Sequence, residues 1–534
     1  MTRRFLFLVA LLVPLSLAAK PKSLEEQALD AMKSATHYMM DVVSYRGGFV
    51  WNYLPDFSRQ WGEMEAKRTM VWTQSGTPEV GQLLLDAYHA TGDEYYYQAA
   101  EQVARALIWG QLDCGGWNYC FDFAGEASLK DWYATVGRSG WRLEEFQHYY
   151  GNATFDDAAT STCAKFLLRL YVEKYDPAWR PALDKVIRFV LDSQYPNGGW
   201  PQRWPLMYDH PFQGRADYSS FITLNDDAIP ENIDFLVQCW QTLGLSGLRE
   251  PIYRAMHLCI ILQQGAPYAG WADQYTVEDL KPAHARSYEP RAVSTSGTAS
   301  MVRQMMDYYR LTGDSRFLAG IPAALDFLES QRLPASEEAR WGRPSNDPDA
   351  ILVPRFIDPD TGKPLYVHRV GSNWYNGHYF TSQDITGTIG HYSSAARINV
   401  KALRAQYEAL KAQPVEEVTA GSPLLEKQLV PLPKYMMQPR FFGPAASPEQ
   451  AAREIIGALD AQGRWLSPLG STSNPYKPGA STEPSSETRY ASTNVGDEYD
   501  TSPYRCTDGT MCISTRDYIN KMAALIRFLD KDAE

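Results

Sequence analysis

Histidine is scarce in this chain. Only nine occur in 534 residues, none in an H-E-x-x-H pattern, and no Cys/His spacing points to zinc. Long apolar runs are also missing. Beyond the first residues, nothing is long and apolar enough to span a bilayer. There is no excess of positive charge either. The net charge is −12, which makes nucleic acid and anionic membrane poor partners. Cysteine is sparse and odd in number, with seven. Cys114 and Cys120 are close enough in sequence for a small disulfide loop in an oxidising compartment, as are Cys506 and Cys512. Cys163, Cys239 and Cys259 lie in apolar helical runs and read as buried thiols.

Aromatic side chains, by contrast, are abundant: 15 Trp and 33 Tyr. Their faces stack on sugar rings, which favours a carbohydrate partner, and they also fill helical cores. The chain opens Met1-Thr2-Arg3-Arg4, runs apolar from Phe5 to Leu17 and reaches small residues at Ala18. Positive, apolar, then small is the order of a secretory signal peptide. Residues 1–18 are therefore expected to be removed, leaving a secreted or periplasmic, soluble, monomeric protein with no membrane contact.

Four stretches repeat one plan. Residues 78–119 read as helix, Thr91-Gly92-Asp93, helix, Gln111, then Gly115-Gly116-Trp117. Residues 158–204 run the same way to Gln194 and Gly198-Gly199-Trp200, and residues 228–275 to Gln263 and Gly270-Trp271. Residues 297–333 turn at Thr312-Gly313-Asp314 and reach Gln331. Apolar residues recur at three-to-four spacing, as at Leu83, Leu84, Ala87 and Tyr88. Each Gly-Asp pair stops one helix and starts the next. Hairpins that each bury one face on a neighbour predict an all-α fold, an α/α toroid with its Gly-rich loops gathered at one end. The toroid is expected over residues 19–412, with a small β-hairpin near 351–369 around Asp360-Thr361-Gly362. Residues 413–534 read as a loop-rich C-terminal extension whose last helix, about 514–530, docks on the ring.

Two acidic motifs open helices in this pattern: Thr154-Phe155-Asp156-Asp157-Ala158 and Thr223-Leu224-Asn225-Asp226-Asp227-Ala228. A carboxylate at a helix start is an ordinary cap. Two such pairs flanking Gln194-Tyr195-Pro196-Asn197-Gly198-Gly199-Trp200 suggest a shared, oxygen-rich site for a hard cation. Trp117, Trp200, Trp204 and Trp271 sit on or beside the loops, placed either to stack on a sugar or to pack the loop on the ring. Asp358-Pro359-Asp360-Thr361-Gly362 lacks the length and terminal Glu of a calcium loop and reads as a turn.

These motifs come in order with Leu280-Lys281-Pro282, Ala285-Arg286-Ser287-Tyr288-Glu289, Pro354-Arg355-Phe356 and Arg369. Together they resemble polysaccharide lyase family 10, the pectate lyases, over roughly residues 78–370. The chain reads as a divergent member, because Gly371–Tyr379 and everything from 413 onward depart from the pattern. The resemblance implies an α/α toroid that cleaves polygalacturonate by β-elimination with Ca2+. It places calcium on Asp156 and Asp226, makes Asp226 essential for turnover, and makes Arg286 the base. It also gives Arg355 and Arg369 to the substrate; Trp200 and Asn225 are expected to bind it as well, and Asp157 and Asp227 are read as supporting or helix-start residues. Arginine is an awkward base because its solution pKa lies above about 12. A salt bridge to Glu289 is the plain structural alternative for Arg286.

Other functions remain open at this point. An α/α toroid also hosts glycoside hydrolases, which need a protonated carboxylic acid and no arginine base. An isoprenoid-cyclase-like toroid would share the Gln…Gly-Trp repeat, but Arg286 and Arg355 suit an anion better than a hydrocarbon. A non-catalytic pectin-binding relative would keep the site and lose turnover.

Overall fold

The computed structural model describes residues 22–137, 146, 148–207, 209–212, 214–370, 378–389, 393–439, 447–470 and 509–530. The expected signal peptide, Cys506 and the segment 371–377 lie outside the described residues, as does the side chain of Arg369.

Helices dominate and pair as expected. After α1 (Leu24–Tyr38) come α2 (Thr77–Thr91) and α3 (Glu94–Gly110), then a short α4 (Glu126–Thr135). The second hairpin is α5 (Ala159–Lys174) with α6 (Arg180–Asp192), and the third is α7 (Ala228–Leu243) with α8 (Arg249–Ile261). The fourth is α9 (Thr295–Thr312) with α10 (Ile321–Ser330). Helices α11 (Val400–Lys411), α12 (Pro448–Gly457) and α13 (Thr515–Leu529) follow, with shorter helical pieces between. The inner helices follow in series, α13 against α2, α2 against α5 and α5 against α7, in an α/α toroid.

Local chemistry ends α2 and α9 where the sequence predicts. Gly92 closes α2 at φ 68°, and the Asp93 carboxylate accepts from Tyr95 N at 3.0 Å to open α3. Gly313 (φ 70°) closes α9 in the same way, and Asp314 follows by accepting from Arg316 N at 3.0 Å. A non-glycine residue would be strained at either left-handed position.

The loops at one end share a clamp. The side-chain amide of Gln111 donates to Gly115 O (2.8 Å) and Ala182 O (3.1 Å). Gln194 repeats this on Gly198 O and Pro251 O, and Gln263 on Ala269 O and Gly320 O. The loop tryptophans point inward. Trp117 Nε1 donates to Leu107 O at 2.7 Å, Trp200 to Val190 O at 2.8 Å and Trp271 to Cys259 O at 2.7 Å. Trp465 does the same with Ile455 O at 2.9 Å, so α12 ends in the same kind of loop. Gly198 has φ 104°, and a Cβ there would meet Arg254 O at 2.6 Å. Close approach to the next repeat therefore requires glycine.

Short strands stitch the loops together. Each segment entering an inner helix takes a backbone bond from the loop before it: Thr154 N donates to Trp117 O (2.8 Å) and Thr223 N to Trp200 O (3.1 Å). On the other side, Ala153–Thr154 pairs with Arg203–Trp204, Ile222–Thr223 with Gln274–Tyr275, and Val293–Ser294 with Phe356–Ile357.

The β-hairpin is narrower than expected over 351–369. Phe356–Ile357 pairs with Pro364–Leu365 across the Asp358–Gly362 turn. Ile351–Pro354 pairs instead with Ala395–Ile398. The chain changes sheets at Arg355, whose carbonyl accepts from Thr295 N and whose N–H donates to Ser394 O. Cys114 and Cys120 form no disulfide; both are free thiols, and Cys163, Cys239 and Cys259 are buried as expected.

At the opposite end of the ring, segment 422–437 crosses the inner helices. Ser422 Oγ donates to Leu311 O, Val430 N to Gln241 O, Arg169 to Lys434 O, and Met436 N to Asp86. The buried Arg169–Asp86 pair, 2.6 Å, anchors it. Helix α13 meets α1 through Tyr518 OH and Thr36 Oγ1 at 2.9 Å. Among the described residues, no helix is long and apolar enough to cross a membrane.

Candidate active site

The two acidic motifs adopt one backbone shape. Asp157 and Ala158 sit at φ 49° and 58°, and Asp226 and Asp227 at φ 51° and 58°. A left-handed pair of non-glycine residues costs about 1–2 kcal/mol per residue and marks positions held by their surroundings. The strand pairing sets the correspondence between repeats. Thr154 matches Thr223, so Asp156 matches Asn225 and Asp157 matches Asp226. The two Asp-Asp pairs are therefore offset by one residue.

The following loops obey the same register. Phe155 N donates to Gln202 O, Leu224 N to Asp273 O, Thr73 N to Tyr119 O, and Thr295 N to Arg355 O. Tyr119, Gln202, Asp273 and Arg355 thus hold one position in four successive repeats. Three of them were not anticipated from the motifs. Their signal lay in aligning the repeats by strand register rather than by the visible Asp pairs.

Arg286 lies at the centre. It is 1% exposed and donates from Nη2 to Asp156 Oδ2 at 2.8 Å and from Nη1 to Asp226 Oδ2 at 3.4 Å. The Glu289 bridge is also real: Nη1 reaches Glu289 Oε2 at 3.1 Å, and the Arg286 amide donates to the same oxygen at 3.1 Å. Tyr119 OH donates to Asp156 Oδ2, and Gln202 to Asp156 Oδ1 at 3.2 Å. Gln74 donates to Asp157 Oδ2, and Asn225 to Asp226 Oδ2 at 2.9 Å.

Carboxylate oxygens of Asp156, Asp157 and Asp226 lie within 4.8 Å of one another. Asp157 thus joins the cluster instead of serving only as a helix start. The Asp226 carboxyl is pushed well above the ordinary range, first by removal from bulk water, then by repulsion from Asp156 and Asp157, against the opposing charge of Arg286. Such a cluster is short of positive charge. Its all-oxygen donor set fits a hard cation such as calcium. Burial also raises Glu289, with Arg286 opposing.

A cavity of about 200 Å3 opens beside the cluster, lined by Asn225, Asp226, Asp273, Ser300, Gln304 and Arg355 among others. Asp273 is raised by burial, with the Arg355 charge opposing. The structure therefore brings together Asp156, Asp226, Arg286 and Asn225, and places Arg355 next door. Asp227 lines the same cavity and stands outside the carboxylate cluster. Trp200 is a correction. It is 0% exposed and tied to Val190 O, so it packs the loop and presents no face to a sugar. The backbone of Arg369 pairs with Tyr379.

The pectic acid lyase family model matches residues 128–247 and 252–386, just under half of the chain and the part that carries every residue of the carboxylate cluster and Arg286. No curated protein matches the chain. Among solved structures, the chain is similar to a mutant family 10 polysaccharide lyase from Cellvibrio cellulosa in complex with trigalacturonic acid. The identity is 16% and the TM-score 0.41, covering 62% of this chain and 98% of that one. A second structure of a family 10 lyase from that organism is 17% identical, with TM-score 0.38, covering 64% and 92%. Cellobiose 2-epimerase from Spirochaeta thermophila is 11% identical, with TM-score 0.41, covering 96% and 100%. In keeping with the resemblance read from its motifs, the part of this α/α toroid that holds the carboxylate cluster and Arg286 matches the pectic acid lyase family.

Proposed function

We propose that the protein is an exported, monomeric, calcium-dependent pectate lyase that cleaves polygalacturonate by β-elimination. The observation that carries this reading is Arg286 held between Asp156 and Asp226, whose oxygens belong to a cluster suited to a hard cation.

The reaction removes the proton from C5 of a uronate, forms the C4–C5 double bond and expels the O4 oxygen. That proton is weakly acidic, so negative charge building on the neighbouring carboxylate must be stabilised. Asp156, Asp157 and Asp226 would hold the cation, which when bound would supply that charge. Arg286 accepts the C5 proton at a terminal guanidine nitrogen. Its carboxylate neighbours favour the guanidinium form, so its use as a base depends on their charge being neutralised. Glu289 holds the guanidine in place through Nη1, the nitrogen that also reaches Asp226. Arg355 takes a uronate carboxylate in the neighbouring cavity through charge-assisted bonds, and Asn225 orients Asp226.

The test is the near-ultraviolet absorbance of products from polygalacturonate, with calcium and with a chelator. Unsaturated product that vanishes with chelator supports the proposal. No such product across several uronans defeats it. A second reading, a glycoside hydrolase, draws on the raised Asp226 carboxyl as a proton donor. It would release reducing ends without that absorbance.

A further inference from the structure

Trp109, near the end of α3, is 48% exposed, unlike the buried loop tryptophans. Its indole N–H donates to none of the described residues, whereas Trp117, Trp200, Trp271 and Trp465 each give theirs to a carbonyl. The Trp109 ring packs against Phe123, with centroids 4.4 Å apart, and Phe123 reaches Tyr45 at 5.7 Å. Two guanidiniums lie on the same rings. Arg46 is 5.3 Å from Phe123 and 5.9 Å from Tyr45; Arg68 is 5.6 Å from Tyr45 and 5.2 Å from Phe57.

Neither arginine forms an ion pair with a described residue. Asp41, the acid nearest to Arg46 in sequence, lies against His37 at 3.3 Å, and Glu65, the nearest to Arg68, is held by Arg59 at 2.8 Å. The buried Asp122 carboxylate accepts from Thr69 and Ala124. Arg68 is fixed by donating to Val42 O at 3.1 Å and Ser44 O at 3.3 Å. Arg46 sits in a tight turn: Tyr45 and Gly48 exchange backbone bonds at 2.9 and 3.0 Å, with Arg46 and Gly47 between them at φ 54° and 87°. Such a turn favours Asn or Gly at both central positions. A Cβ on Gly47 would meet Gln102 O at 2.5 Å, so the turn is pressed onto α3. An arginine here is strained, and its guanidinium makes no hydrogen bond to the described residues. A residue held against its backbone preference, with its charge uncommitted, points to use from outside.

The charge of the whole chain, −12, repels an acidic polymer, and two uncompensated cations beside an open aromatic face reverse that field locally. A ring face takes the apolar face of a sugar, and a guanidinium takes a carboxylate. The combination selects an acidic sugar over a neutral one. The patch stands apart from the carboxylate cluster. Phe123 lies four residues beyond Tyr119, which donates to Asp156, along extended backbone paired with Met70–Trp72. At about 3.3 Å per residue this is roughly 13 Å along the strand.

We propose that Trp109, Phe123, Tyr45, Arg46 and Arg68 form a non-catalytic surface site that holds acidic polysaccharide. Its link to turnover rests on the uronan-cleaving reading, while the binding itself does not. Held at this site, a long chain reaches the cleft at raised effective concentration, and an oligomer too short to touch both gains nothing.

Two measurements on the full chain test it. In the first, oxidation of Trp109 by hydroxyl radicals is read by peptide mass mapping, with polygalacturonate or neutral galactan present and in chelator. Polygalacturonate is expected to protect Trp109 and galactan is not. Arg46→Gly removes the cation and suits the turn, so its Tm should hold or rise while protection weakens, which misfolding cannot imitate. In the second, Trp109→Ala and Arg46→Gly should raise KM for long polygalacturonate at least about threefold, with kcat/KM on the shortest cleaved oligomer unchanged. Equal protection by galactan, or unchanged protection in Arg46→Gly, would overturn the site. So would protection that grows with protein concentration alone, which would give the face to a second copy of the chain. These outcomes leave the lyase reading intact. Protection by polygalacturonate in a protein that forms no unsaturated product would keep the site and defeat that reading.

Discussion

Asp157 and Asp226 are the same residue in two successive repeats, both at φ near 50°, while Asp156 has Asn225 as its counterpart. The carboxylate cluster is thus one repeated ligand plus one unique ligand. Its asymmetry places Asp156 alone in full contact with Tyr119, Gln202 and Arg286.

This asymmetry can be tested by exchange. Asp157→Asn should weaken calcium binding about tenfold or more, since affinity follows the number of charged ligands. Asn225→Asp, which restores the missing carboxylate, should tighten it and lower Tm in chelator. Calcium calorimetry on both variants decides the point. Unchanged affinity in Asp157→Asn removes that residue from the site.

Arg286 and Arg355 should separate in kinetics. Arg286→Lys keeps a charge but loses the planar fork that spans Asp156 and Asp226, so kcat should fall at least about a hundredfold with little change in KM. Arg355→Ala should mainly raise KM, by roughly 1.5–3 kcal/mol of lost charge-assisted contact. Near-normal kcat in Arg286→Lys would reassign the base.

The raised Asp226 carboxyl predicts a pH dependence with a definite sign. Its folded pKa lies above its unfolded value, so the native state holds the extra proton between the two. Stability of the metal-free protein should therefore fall as pH rises from about 4 through the folded pKa. Asp226→Asn removes the repulsion and should flatten this decline, raising Tm in chelator at neutral pH while turnover is lost. Parallel Tm-against-pH curves for wild type and variant would contradict it.

Trp200 should behave as a packing residue. Trp200→Phe removes a buried donor from Val190 O and leaves space beneath the loop, at a cost of about 1–3 kcal/mol in stability. KM for uronans should stay within about twofold at temperatures where the variant is folded. A large rise in KM without a change in Tm would return Trp200 to the substrate.

The sites that were readable in the sequence are those whose chemistry is local. Asp156, Asp226 and Arg286 stand out as residue types in ordered motifs, and the structure brings all three together. Tyr119, Gln202 and Asp273 were silent. A tyrosine or glutamine has no sequence signature until its neighbour in space is known, whereas the Arg286–Glu289 bridge, three residues apart, could be read as an alternative and is present. Trp200 misled for a related reason. A Gly-Gly-Trp loop is compatible with a tryptophan turned outward to a sugar or inward to its helix, and only the Nε1 bond to Val190 O shows the direction.

The sequence by itself determined the hairpins, their Gly-Asp ends and the Gln…Gly-Trp loops. Each depends on contacts within a few residues along the chain, such as Asp93 capping at Tyr95 N or Gln111 reaching Gly115 O. Tertiary structure alone decided the register between repeats, and with it the site. Arg286 meets Asp156 across 130 residues and Asp226 across 60, a meeting that requires successive loops to be set side by side at one end of the ring. Until the backbone bonds between neighbouring loops fix that alignment, no local preference distinguishes Asp156 paired with Asn225 from Asp156 paired with Asp226.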